Sequence, residues 1–320
     1  MKKFLSDLKK ELVRLKFKPD EIEEILDDHK EMIETAQKEG ISDEEIVLKF
    51  GDPIKLAKEI KENTSESTIK ISLGGENMKD YELFQSFSVS EKEFDVSIHL
   101  VSEDVIYELH DVEEIQVYYK EVKNIEDYEI TFDGKTFVLK HKNKLRVLSW
   151  SKNSGHFLVK VPVGIQSKTF SIQNVSGDSE LQGISTKELS IKTTSGDAEV
   201  NEFKASSLSF STVSGDVEIQ NGKIETMTLS TVSGDVEMDN IDCSGTVDIN
   251  TVSGDVEVEN SFFGPTNFKS VSGDLIGKEF YPTSVQLKSV SGDIEIKNED
   301  KERKINILKS RSVSGDVNIS

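Results

Sequence analysis

Two hydrophobic periods divide the chain. From residue 3 to about 62, apolar side chains recur every three or four positions, the period of a helix with one buried stripe. Phe4, Leu5, Leu8, Leu12 and Leu15 make the first stripe; Ile22, Ile25, Leu26, His29, Met32, Ile33 and Ala36 make the second. Pro19, followed by Asp20 and Glu21, suits a helix start, where a missing N–H costs nothing. Gly40 suits its end, and Ser42 with Glu45 has capping-box spacing ahead of Ile46, Val47 and Phe50. Gly51-Asp52-Pro53 breaks the chain before a last turn bearing Leu56, Ala57 and Ile60. The pattern predicts a small all-α domain over 1–62 and a polar linker, NTSEST, over 63–68.

From about residue 69 the period falls to two, the signature of strands with one buried face. Phe94 to Leu100, Ile115 to Val122 and Tyr128 to Leu139 alternate, the last around the hairpin dipeptide Asp133-Gly134. Residues 69–165 are expected to form a β entry cap over the first repeat. From 166 to 320 the chain repeats. Ser-Gly-Asp occurs eight times, ending at Asp178, Asp197, Asp216, Asp235, Asp255, Asp274, Asp293 and Asp316, so the spacings are 19, 19, 19, 20, 19, 19 and 23. Apolar residues stand six positions before these aspartates except at Ser310, one after them except at Ser179 and more weakly at Ala198, and three after them except at Gly277. Between the latter pair fall Glu180, Glu199, Glu218, Glu237, Glu257 and Glu295. Each repeat therefore reads as two short strands joined by a Ser-Gly-Asp corner, with a variable return loop. Glycine is expected to supply a positive φ at the corner. One such unit cannot bury its own apolar face, but stacked copies can. The fold class expected is mainly β, a β-solenoid of about eight repeats preceded by the helical domain.

Two resemblances rest on these motifs. Pro19-Asp20-Glu21, Gly40 to Ile46, Phe50-Gly51-Asp52-Pro53 and Ala57 resemble the HAAS signalling domain of bacteria. That resemblance implies a protein-docking role for Asp20, Glu21, Gly51, Asp52 and Pro53, toward a PadR-like regulator or a membrane-associated signalling protein. Val161-Pro162-Val163-Gly164 and the recurring Val-Ser-Gly-Asp-Val resemble a bacterial β-strand-repeat family labelled as adhesins, whose biochemical function is unknown.

Composition narrows the chemistry. The 320 residues hold 39 Lys+Arg against 60 Asp+Glu, a net charge of −21, which disfavours a nucleic-acid-binding face. One cysteine, Cys243, excludes an internal disulfide framework. No apolar run approaches the roughly 18–20 residues that cross a bilayer, and the charged amino terminus is no secretion signal, so a cytoplasmic protein is expected. The five histidines are scattered, no phosphate-binding glycine loop occurs, and Trp150 reads as a core or cap aromatic.

The expectation is a non-catalytic interaction scaffold without a cofactor. Its solvated face carries Glu199, Glu218, Glu237 and Glu257. Stacking sets like charges about 4.8 Å apart, so a calcium-binding β-roll along Asp197, Asp216, Asp235, Asp255, Asp274 and Asp293 is an alternative. A surface or envelope adhesin binding protein or glycan is a second alternative. The last repeat leaves apolar strands exposed, predicting end-to-end association through Ile294, Ile296, Val317 and Ile319.

Overall fold

The computed structural model describes residues 2–14, 22, 26, 30, 80–142, 155–300 and 303–320. The chain forms two compact units, Met1–Lys79 with Asn143–Asn153, and Asp80–Lys142 with Ser154–Ser320. In the first, α1 (Lys2–Arg14) buries Phe4, Leu8 and Leu12 and exposes Lys9, Lys10 and Arg14, as its period requires. Asp20, Glu21, Gly51, Asp52, Pro53, the 63–68 linker and Trp150 lie outside the described residues.

The second unit begins with β1 (Glu82–Ser88), β2 (Asp95–His99), β3 (Asp104–His110), β4 (Glu114–Lys120), β5 (Tyr128–Phe132), β6 (Thr136–His141) and β7 (His156–Pro162). The repeats follow as β8 (Ser167–Gln173), β9 (Ser179–Gln182), β10 (Ser185–Lys192), β11 (Ala198–Ser211), β12 (Val217–Ser230), β13 (Val236–Cys243), β14 (Val247–Asn250), β15 (Val256–Lys269), β16 (Leu275–Lys288), β17 (Ile294–Lys297), β18 (Asn306–Arg311) and β19 (Val317–Ile319). The Ser-Gly-Asp turns stack as a parallel solenoid, and the predicted columns coincide with the ladder register. Ile172, Ile191, Phe210, Leu229, Ile249, Phe268 and Leu287 form one continuous inward column before the corner. Leu181, Val200, Ile219, Met238, Val258, Gly277 and Ile296 form another after it. At Gly277, the one gap, the Phe280 ring packs where a side chain would stand, 3.0 Å from an ideal Cβ.

The structure revises the sequence picture in two places. First, the return segment is itself a strand rather than a loop. Ala205 pairs with Ile224, Ile224 with Cys243, and Cys243 with Phe263, so a third parallel column runs up the stack and all four side chains are buried. It is separated from the post-corner strand by a left-handed residue five positions after each of the first six aspartates. Gly183, Glu202, Asn221, Asn240, Asn260 and Glu279 all have φ between 47° and 78° there. Asparagine suits this site because its side chain tolerates left-handed backbone and bonds locally. Asn240 Nδ2 also donates to Asn221 Oδ1 (2.6 Å), and Asn221 Nδ2 to Asn201 Oδ1 (2.9 Å).

Second, residues 80–142 and 155–165 supply rungs of the stack as well as a cap. β2 pairs in parallel with β8 and β3 with β9, making a full rung beneath the first Ser-Gly-Asp turn. β6 and β7 lie parallel to β2 and β3 on the other side, a further rung. Among the described residues only β4, β5 and β1 are antiparallel: β5 closes on β6, β4 on β7, and β1 on β4. This reversal ends the parallel stack and supplies the larger aromatic core there, with Tyr107 against Phe170 (4.8 Å) and Tyr128 against Phe157 (4.9 Å).

Candidate functional site

The repeated corner concentrates the polar chemistry. Each aspartate Oδ1 accepts the backbone N–H of the aspartate one rung on. The chain of bonds runs from Asp178 to Asp197 (2.9 Å), Asp216 (2.8 Å), Asp235 (2.9 Å), Asp255 (2.7 Å), Asp274 (2.7 Å), Asp293 (2.7 Å) and Asp316 (2.7 Å). At its base Asp104 Oδ1 accepts the Asp178 N–H (2.8 Å), while Asp104 Oδ2 lies 3.1 Å from His156 Nδ1. Serine hydroxyls donate to the valine carbonyl of the rung before, as from Ser233 to Val213 and from Ser253 to Val232, both 3.2 Å. Four positions before six of the aspartates, a Thr or Ser hydroxyl closes the turn on itself. Thr193 Oγ1 donates to the Gly196 carbonyl (2.9 Å), and the Gly196 N–H lies 3.1 Å from the same oxygen.

Glycine has a different role from the one expected. None of the Ser-Gly-Asp glycines has a positive φ; among the described residues the positive-φ glycines are Gly134, Gly164 and Gly183. An ideal Cβ on Gly215, Gly234, Gly254 or Gly273 would instead lie 2.0–2.1 Å from the carbonyl oxygen of the glycine one rung below. The backbones approach so closely that only hydrogen fits. Beneath them, the β2–β3 corner reads Val101-Ser102-Glu103-Asp104, one residue away from the repeat. That near-match is the signal that marks residues 95–110 as a rung.

Burial raises several acids in this stack. Asp178 is pushed up to about 6, chiefly by desolvation and also by Asp104 and Asp197. Asp197 is raised by burial and by Asp216. In the neighbouring acidic column, Glu199, Glu218, Glu237 and Glu257 are in register on adjacent strands. Glu199 and Glu237 are raised by burial and by their column neighbours. Where Ile276 interrupts the column, Lys278 Nζ reaches Glu257 (2.5 Å) and Glu259 (2.7 Å).

Asp197, Asp216, Asp235, Asp255, Asp274 and Asp293, the candidate calcium column, stand on successive rungs at the corner. Each Oδ1 accepts one amide N–H of the next rung, and among the described residues no group of three or more His, Cys, Asp or Glu side chains is placed to hold a metal ion. Cys243 lies in a strand, 1% exposed, and burial lifts its thiol to about 11. Ile294 and Ile296 are buried, because Val317 and Ile319 of β19 pair over them. Of the four residues expected at the end face, only Val317 and Ile319 belong to the last rung.

Two surface features escaped the sequence reading. Val213, Val232, Val252, Val271, Val290 and Val313 form an exposed ridge beside the aspartates, 43–70% accessible. Phe262 and Tyr281 stack on adjacent rungs (5.5 Å) under the Arg303 guanidinium, which the 297–307 insertion brings over both rings.

A family profile described as Toastrack DUF4097 matches residues 55–281 and 246–320, and one described as HAAS matches residues 3–59. Among solved structures, a "putative lipid binding protein" from Parabacteroides distasonis is similar at 16% identity and TM-score 0.53, over 76% of this chain and 98% of its own. A "putative adhesin" from Bacteroides fragilis is similar at 12% identity and TM-score 0.36, over 77% of this chain and 100% of its own. A "putative adhesin" from Parabacteroides merdae is similar at 12% identity and TM-score 0.31, over 76% and 97%. No curated protein matches. Among the described residues, no helix is long and apolar enough to cross a membrane.

Proposed function

From the premise that this chain belongs to the toastrack DUF4097 family, with a HAAS domain at its amino terminus, we propose that it is a non-catalytic interaction scaffold. The observation that carries this reading is how the repeat uses its polar groups. Most aspartates, serines and threonines of the corner bond to backbone within the stack, so the repeat directs its polar groups to its own backbone rather than to paired acids and bases or activated hydroxyls. The outward surface is instead repetitive: a ridge of valines and a column of half-exposed glutamates on a stiff support. A rigid surface loses little conformational freedom when a partner docks.

HAAS suggests protein–protein interaction in general terms. The finer proposal is that the helical domain docks a PadR-like regulator or a membrane-associated signalling protein in the cytoplasm, with the solenoid as the presented surface. Photo-crosslinking residues placed separately at positions 52 and 252 of the full chain, in the cells it comes from, test this. A protein captured from position 52 is the expected result. Capture from position 252 alone, of envelope protein or glycan, would overturn helical-domain docking in favour of adhesion.

A further inference from the structure

The second unit contains a basic groove. A cleft of about 500 Å³ follows the bend between the return strand and the next pre-corner strand. Its lining includes Lys168, Lys187, Lys204 and Lys223, with Glu93 and Glu225 as the opposing carboxylates. The surplus of two positive charges there stands out in a chain of net charge −21.

The register explains how the lysines assemble. Thr186 pairs with Ser167, Ser185 with Lys204, and Lys204 with Lys223, so four consecutive rungs contribute one lysine each. Lys168 and Lys187 follow the bend; Lys204 and Lys223 precede it. Three rung spacings of about 4.8 Å set the length of the basic strip near 14 Å.

Countercharge within the protein is sparse. Lys168 lies 3.6 Å from Glu93, and Lys223 lies 3.6 Å from Asp242. Among the described residues, neither Lys187 nor Lys204 has a carboxylate within 4.0 Å. The contrast with Lys278, clasped by Glu257 of the acidic column and by Glu259, is direct. Inward hydroxyls of the groove are already used, Ser167 Oγ on the Ser185 carbonyl and Thr186 Oγ1 on the Glu188 carbonyl. The partly exposed hydroxyls of Ser185 and Ser206 make no hydrogen bond among the described residues and remain as donors.

We propose that this groove binds a phosphate-bearing ligand, with Lys187 and Lys204 holding the anion from opposite sides of the bend and Ser185 and Ser206 donating to its remaining oxygens. A tetrahedral oxyanion presents acceptors in several directions and so matches donors converging from two walls. The length of the strip admits more than one phosphate group. The site does not depend on the docking role of the helical domain.

The test uses the full chain with inorganic tripolyphosphate, followed by calorimetry at low and high salt. Vesicles of phosphatidylglycerol and of phosphatidylcholine form a parallel arm. The wild type should bind tripolyphosphate, and added salt should weaken the complex steeply. K187E/K204E should lose at least tenfold in affinity, while K269E/K288E on another column should keep it. K187Q/K204Q serves as the milder pair if the charge reversal lowers the melting temperature. Binding to phosphatidylglycerol that the same variant abolishes identifies a lipid headgroup as the source; binding to tripolyphosphate alone identifies a soluble phosphate. An absence of binding to tripolyphosphate and to both vesicle types would overturn the proposal. So would an equal loss in K269E/K288E, which would reduce the effect to diffuse charge.

Discussion

Asp235 shows what one side chain does for the stack. Its Oδ1 accepts the Asp255 amide, while its own amide donates to Asp216, so each aspartate links two interfaces between rungs. Asp235→Ala removes the acceptor and should cost about 0.5–1.5 kcal/mol, whereas Asp235→Asn keeps an oxygen in place and should recover most of it. Denaturant midpoints of the two variants check this. Asp178 adds a pH dependence. Its pKa rises from 3.8 to about 6 on folding, so the folded chain holds more protons than the unfolded one between those values. Stability from this group is present below pH 3.8 and lost as pH rises toward 6. Asp178→Asn should therefore gain roughly 1–3 kcal/mol relative to wild type between pH 4 and pH 7. A stability difference that stays flat across that interval would refute the assignment.

Turns and strands illustrate how one residue type serves two purposes. Gly183 is left-handed, at φ 78°, and asparagine occupies the equivalent place in later rungs. Gly254 is held by contact, since a Cβ there would sit 2.1 Å from the Gly234 oxygen. Gly254→Asn should therefore be as damaging as Gly254→Ala, about 1–3 kcal/mol or more, because a side chain that tolerates left-handed backbone gains nothing where the obstacle is steric. Thermal unfolding of the pair decides it: a benign Asn variant would restore the conformational explanation. The return strand behaves as core in the same way. Cys243 is inward and its thiol raised to about 11, so a thiol reagent should modify it only after denaturation.

Across the solenoid the two ends differ. One is closed by β4 and β5 laid antiparallel over the β6–β7 rung. At the other, all six residues of β18 are exposed, Ile307 and Leu308 among them, and Val317 of β19 is 39% accessible. Exposed strand edges of this kind pair readily with another chain. Self-association through this face should raise the mass seen by sedimentation as concentration increases, and V317K/I319K should restore the monomer. A constant monomer mass in the wild type would exclude it. Amide exchange should also be faster in β18 and β19 than in β12 to β15, since local stability follows burial.

Much of this architecture is readable in the amino-acid order because a solenoid repeats one local solution. The 19-residue spacing, the apolar columns at fixed offsets from each aspartate and the solvated glutamates all appear in the ladder register. Periodicity alone suffices there, since each position meets its own equivalent one rung away. What it could not supply are relations between unlike segments. The β2–β3 corner differs from the motif by one residue, and its place between β6–β7 and β8–β9 departs from chain order. The close glycine contacts, the aspartate–amide ladder and the cleft joining Lys187 to Lys204 depend on which backbone lies over which, a distance set by stacking. Local pattern determines which face of a strand is buried; the charge and space shared by neighbouring rungs exist only once they are stacked.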